Sequence, residues 1–235
     1  MRTIHTGLKS AEIASALPNY QVTLATSEQL EEYAARTETA LGIRFPLDYL
    51  SRSDVLLFVD GRGVTGGGGL IALEPPYRSL ESIPAGVTMP AGALHDLGSV
   101  AEINGVWLGP ECRGSYLSYL FWRSFLEHAL ATGRKQFLFT YAHATRRIPT
   151  AYRLTRPRVL YSGVTRVLPG MKGPGRETVA VFDADILPDL VAVLDRQCGG
   201  VPESSVSAFL SRGKGRVAGR NQSAVQRAVA PRKPK

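Results

Sequence analysis

The stretch VWLGPECRGSYLS, residues 106–118, decides how this chain is read. Val106, Trp107 and Leu108 close a β-prone run, Gly109-Pro110 breaks it, Arg113-Gly114 follows, and an apolar helical pattern starts near Tyr116. A strand that turns through glycine into a helix gathers backbone N–H groups and the positive end of a helix dipole at one spot, which suits a phosphate. The same residues also read as a plain β–α turn, so the flanking elements have to decide.

Working outward, VAEINGVWL (residues 100–108) reads as a strand. SYLSYLFWRSFLEHALATG reads as a helix of roughly eighteen residues, closed by Gly133. Its apolar positions Leu117, Leu120, Phe121, Phe125, Leu126, Ala129 and Leu130 cover most of the circumference, as on a helix buried between other elements. KQFLFTYAH makes the next strand. Toward the N-terminus, YQVTLAT reads as a strand, Thr26 or Ser27 can cap the helical pattern SEQLEEYAARTETAL, and Gly42 ends it. SDVLLFVDGRGVTGGGGLIAL gives two apolar runs about Asp60-Gly61-Arg62-Gly63, a hairpin signal. The glycines from Gly66 to Gly69 inside the second run imply a bulge or the close approach of another backbone. Residues 74–99 form a long loop rich in Pro, Gly and Ser, the kind of segment that is mobile or functional. Beyond Gly133 and its strand come a short helical or turn segment, ATRRIPTAYRLT, two further strands in RVLYSGVTRVL and ETVAVFDADI, and a last helix with Pro188 in its first turn.

Composition narrows the class. The chain has 235 residues and 44% hydrophobic content, enough for a sizeable core. Its net charge of +8 is unevenly placed: residues 211–235 carry eight Lys and Arg and no acid, which leaves the preceding part formally neutral. That basic, aromatic-free tail is expected to be disordered in isolation. Cys112 and Cys198 have no CxxC spacing, and His5, His95, His128 and His143 show no ligand spacing, so neither a metal site nor a disulfide framework is expected. The N-terminus lacks an apolar signal region and no run is long enough to span a membrane, so a cytoplasmic setting is expected.

The order of elements and the block Pro110-Glu111-Cys112-Arg113-Gly114-Ser115-Tyr116-Leu117-Ser118 together resemble the GNAT superfamily of acyl-CoA N-acyltransferases. That family follows its fourth strand with Pro-Glu-x-Arg-Gly-x-Gly-x-Gly and an apolar helix. The resemblance covers about residues 20–185, and it departs from the pattern at Tyr116 and Ser118, where the family has glycines. It implies an α/β fold with a mixed, mostly antiparallel central sheet flanked by helices and splayed between its fourth and fifth strands. It also implies an organisation of an N-terminal extension (1–19), a GNAT-like domain (20–200) and a basic tail (201–235).

The activity implied is direct transfer of an acyl group, acetyl in the first instance, from acetyl-CoA or another acyl-CoA to an amine. The coenzyme A site implied comprises Val106, Trp107, Leu108, Arg113, Gly114, Ser115, Tyr116, Leu117 and Ser118. Tyr116 is the critical departure, because its ring either lies outward or covers the backbone amides. Glu102, on the central strand with Asn104 and Val106 expected on the same face, is either the base that deprotonates the amine or a structural partner. Tyr152 falls where the family often has a general acid, without the usual flanking residues. The oxyanion donor implied is a backbone N–H near Trp107 or Leu108.

A weaker resemblance, carried by Gly-Gly-x-x-Leu-Ile, the long loop and Val100-Ala101-Glu102-Ile103, is to the autoinducer-synthase branch of the same fold. It implies a longer acyl-CoA or an acyl-carrier-protein donor. A third reading is a non-catalytic GNAT-fold protein whose basic tail contacts nucleic acid or another acidic partner by counterion release. A second copy of the chain is a further partner to be considered, and no metal is expected.

Overall fold

A computed structural model describes residues 20–94, 96–113, 116–142 and 155–198. The strands are β1 (Gln21–Leu24), β2 (Ser53–Val59), β3 (Thr65–Ala72), β4 (Val100–Leu108), β5 (Gln136–Ala142), β6 (Arg158–Val164) and β7 (Arg176–Asp183). The helices are α1 (Gln29–Leu41), α2 (Leu47–Ser51), α3 (Arg78–Glu81), α4 (Tyr116–Ala131) and α5 (Leu187–Cys198). The seven strands form one sheet in the order β1-β2-β3-β4-β5-β7-β6. Every neighbouring pair is antiparallel except β4 and β5. That parallel pair requires a crossover, which α4 supplies.

Alternation along the strands divides the core into two faces. On one, Phe58, Ile71, Ala101, Ile103, Phe137, Phe139 and Phe182 meet Leu117, Phe121 and Phe125 of α4 and Leu187 and Leu190 of α5. On the other, Leu57, Leu70, Ala72, Val100, Leu138 and Val181 meet Tyr33 of α1 and Tyr49 and Leu50 of α2. Full burial of one large apolar side chain such as Phe121 stabilises by about 1.5–3 kcal/mol, so these contacts dominate the association of helices with sheet. The helix of the sequence pattern forms over Tyr116–Ala131, but Leu130 is exposed: α4 buries one broad side rather than its whole circumference. Neither Thr26 nor Ser27 caps α1 through its side chain. Instead the Gln29 side chain reaches back to accept from the Thr26 amide.

The glycine run of β3 is a packing device. A Cβ at Gly66 would lie 2.7 Å from the Tyr20 ring, at Gly68 3.1 Å from the Tyr33 ring, and at Gly69 2.7 Å from the Phe125 ring. Aromatic side chains from both faces therefore rest directly on the strand, in addition to the backbone approach of Leu56 O and Trp107 O.

The pairing of β4 with β5 runs only from Val100–Gln136 to Ile103–Phe139. Past that point β4 continues with β3 to Leu108, while β5 continues with β7 to Ala142, so the sheet opens into a V. At the opening β4 carries a bulge: Leu70 faces Asn104 but Gly68 faces Trp107, so Gly69 spans two residues of β4. Gly105 sits there at φ 59, a left-handed conformation that costs glycine nothing, and Tyr33 Oη donates to its carbonyl at 2.8 Å.

The bulge corrects one sequence expectation. Glu102 and Asn104 share a face, but Val106 does not join them; it packs with Leu108 on the α4–α5 side, while Trp107 turns to the α1–α2 side. One extra residue in the strand reverses the alternation beyond it.

Candidate active site

The open end of the V, the turn after β4 and the loop between β3 and β4 converge on the middle of the sheet. Gly109 N–H donates to Gly66 O at 2.8 Å, which makes these two residues a hydrogen-bonded pair of the antiparallel ladder. By alternation Trp107 N–H also points at β3, and Leu108 N–H and C=O point into the gap that β5 has left. Of the two residues expected to offer an oxyanion donor, Leu108 therefore has the amide aimed into the opening. Its carbonyl accepts from Arg113 Nε at 2.6 Å, so the Arg113 side chain folds back to the mouth of the V.

The turn itself spends part of its donor supply. Cys112 N–H donates to Gly109 O at 3.0 Å, and Arg113 N–H is shared between Gly109 O at 3.2 Å and Pro110 O at 3.3 Å. The first turn of a helix has amides with no intrahelical acceptor, and in α4 that turn begins at Tyr116. Gly114 and Ser115 lie outside the described residues. Leu117 is buried in the core, Ser118 is half-buried, and Tyr116 is half-buried with its ring packed against the apolar cluster beneath α4. The Tyr116 ring thus packs into the core beneath α4, a direction that neither expectation, outward along the helix or over the amides, had included. Cys112 is fully buried, and burial together with the charge of Glu111 pushes its thiol up, away from nucleophilic chemistry.

Glu102 is the centre of the second cluster. Its side chain is wholly buried and accepts five hydrogen bonds. Oε1 accepts from Ser79 N–H at 2.7 Å, Ser79 Oγ at 2.6 Å and Asn104 Nδ2 at 3.0 Å. Oε2 accepts from Tyr49 Oη at 2.8 Å and Arg78 N–H at 2.8 Å. A carboxylate has about four lone-pair positions, so this one is saturated. Thr140 of β5 extends the network by donating to Ser79 Oγ at 2.8 Å. Arg78 and Ser79 of the β3–β4 connection are therefore anchored on the Glu102 carboxylate, with Tyr77 Oη donating to Val100 O at 2.8 Å as a second tether.

Burial holds the Tyr49 hydroxyl well above its ordinary range, and the Glu102 charge adds to this, so Tyr49 remains a neutral donor. Arg78 stacks its guanidinium on Phe45 at 5.4 Å and on Tyr49 at 5.7 Å. Burial lowers its affinity for the proton, an effect partly offset by Tyr49 and Glu102. Tyr49, Arg78 and Ser79 were not visible in the sequence pattern as site residues. They lie 53, 24 and 23 positions from Glu102, and only the fold joins them to it. Tyr152 lies outside the described residues, as do His5, His95, His143 and the basic tail. Among the described residues no cluster of His, Cys, Asp or Glu could hold a metal, and no helix is long and apolar enough to cross a membrane.

No protein-family model matches the sequence, and no curated protein matches it significantly. Solved structures do match the fold. One is a CoA-dependent acyl-homoserine lactone synthase, BjaI, with SAM and isopentyl-CoA: TM-score 0.54, 13% identity, 78% of this chain and 92% of that chain. Another is FeeM, an N-acyl amino acid synthase from uncultured soil microbes: TM-score 0.51, 12% identity, 76% of this chain and 98% of that one. The chain has a GNAT-like fold, which it shares with these two structures.

Proposed function

We propose that this protein is an acyl-CoA-dependent N-acyltransferase. The observation that carries the reading is the V between β4 and β5, whose mouth holds an inward-aimed Leu108 amide, Arg113 and the start of α4. An extended thioester chain can lie in such a gap and complete the pairing that β4 lost there, with its phosphates at the helix start. The acceptor's neutral amine attacks the thioester carbonyl, a C–N bond forms, and the oxyanion develops within reach of a backbone donor such as Leu108 N–H. The nitrogen releases its extra proton to solvent, collapse breaks the C–S bond, and the departing thiolate takes a proton, for which Tyr152 is proposed as donor on the family resemblance alone.

Glu102 enters this reading as a positioning residue. To act as base it would have to surrender one of five donors, of which Asn104 Nδ2 at 3.0 Å is the longest. Holding α3 and Tyr49 against β4 is the role its geometry supports.

A second reading, an autoinducer-synthase-like enzyme with a longer acyl donor, is favoured by the fold of the two synthases above. Calorimetric titration of the full chain with acetyl-CoA and with a long-chain acyl-CoA tests both. Tighter binding of acetyl-CoA supports the first reading, tighter binding of the long chain supports the second, and binding of neither overturns acyl transfer altogether.

A further inference from the structure

Arg78 is 7% exposed, yet among the described residues it forms no ion pair. Its guanidinium makes one hydrogen bond there, from Nη2 to Pro169 O in the β6–β7 loop at 2.8 Å. Three carboxylates, Glu102, Glu81 and Asp48, act on its charge without forming an ion pair with it, and Glu102 is committed to other donors, the Arg78 backbone amide among them. Buried cations are ordinarily paired, because leaving water without a counter-charge is costly. Here the two aromatic rings fix the guanidinium plane and leave its edge as the polar surface, a shape that matches a planar carboxylate.

The position matters as much as the charge. Arg78 lies beside Glu102 on the α1–α2 face of β4, the face that carries Asn104, two residues beyond Glu102, at the opening of the V. The turn expected to take the donor's phosphates lies at the far end of β4, about 20 Å of strand away. A cation on this face therefore addresses the other substrate.

We infer that Arg78 binds the carboxylate of the acyl acceptor, so that the acceptor is an amino-acid-like amine. This rests on the acyl-transfer reading for the identity of the ligand as acceptor, though not for the existence of the anion site. On carboxylate binding the guanidinium keeps its ring contacts and pairs through nitrogens that Pro169 does not use. Loss of a charge-assisted pair of this kind weakens binding about ten- to a hundredfold.

The test is calorimetric binding of a panel of α- and ω-amino acids to the full chain, each acid paired with its carboxamide. At least one acid is expected to bind about ten or more times tighter than its amide, the worth of about one charge-assisted bond. Arg78→Met, which retains the length that packs on Phe45 and Tyr49, is expected to bind acid and amide alike. Arg78→Lys keeps the charge without the fork, is expected to fold, and should retain part of the preference, so the pair remains decisive if the Met variant does not fold. Equal binding of every acid and its amide, binding of none, or an undiminished preference in Arg78→Met overturns the inference and leaves Arg78 as a tether for the β6–β7 loop. Acyl-CoA binding without carboxylate preference would sink this site and spare the acyl-transfer reading. A preference abolished in Arg78→Met in a chain that binds no acyl-CoA would do the reverse.

Discussion

Replacing Glu102 with Gln converts one oxygen of a five-fold acceptor into a donor. The less costly orientation puts the amide nitrogen where Oε2 stands. Tyr49 Oη can then rotate to accept, while the Arg78 N–H is left facing another donor. One orphaned buried N–H costs about 1–3 kcal/mol. The three bonds at the remaining oxygen lose charge assistance, about 1 kcal/mol each, and relief of the buried charge offsets part of that. The net expectation is a loss of about 3 kcal/mol, a large share of the roughly 5–15 kcal/mol that holds a typical domain together. Urea unfolding followed by circular dichroism, at unchanged m-value, measures it. Activity of the folded fraction should fall less than stability does. If Glu102→Gln unfolds within about 0.5 kcal/mol of the wild type but has lost acyl transfer, Glu102 is the base and the positioning argument is wrong.

Two further predictions concern the groups around that hub. The hydroxyls of Tyr33 and Tyr49 are raised well above the ordinary tyrosine range by burial, with Glu102 contributing at Tyr49. The unfolded chain therefore releases these protons first, so their stabilisation is complete below about pH 10 and declines as pH rises, by up to ~1.4 kcal/mol per unit for each ring. A Tyr33→Phe/Tyr49→Phe variant should show a shallower decline between about pH 10 and 11, and a parallel decline would refute the assignment. Gly170, at φ 83, would place an added Cβ 1.7 Å from the Arg44 carbonyl oxygen, whereas Gly173 has nothing within 4 Å. Gly170→Ala should lower stability by about 3 kcal/mol or more and loosen the β6–β7 loop, while Gly173→Ala stays within about 0.5 kcal/mol; similar denaturation midpoints for both would contradict the packing described.

Much of the architecture was legible in the chain because it rests on local patterning. VAEINGVWL becomes β4 over Val100–Leu108, and DGRG turns the β2–β3 hairpin, where Asp60 Oδ1 accepts from the Arg62 and Val64 amides at 2.9 and 2.8 Å. The splay between β4 and β5, expected from the resemblance, follows from where their pairing stops. The bulge at Gly105 was not legible. Asn104-Gly105 reads as strand, and only the pairing partner Gly69, fixed by the ring of Phe125 above it, shows that two residues face one.

The sequence by itself determined the strand and helix segments, the β4–turn–α4 junction and the concentration of positive charge at residues 211–235, since periodicity, glycine punctuation and charge are properties of neighbours along the chain. Tertiary structure alone decided which faces those residues share and what they touch. It moved Val106 away from Glu102, turned the Leu108 amide into the gap, and surrounded Glu102 with donors from α2, α3 and β4. It also left the Arg78 guanidinium buried against two rings with, among the described residues, one carbonyl as hydrogen-bond partner. Register, burial and long-range hydrogen bonding arise when the strands pair, and a local pattern does not encode them.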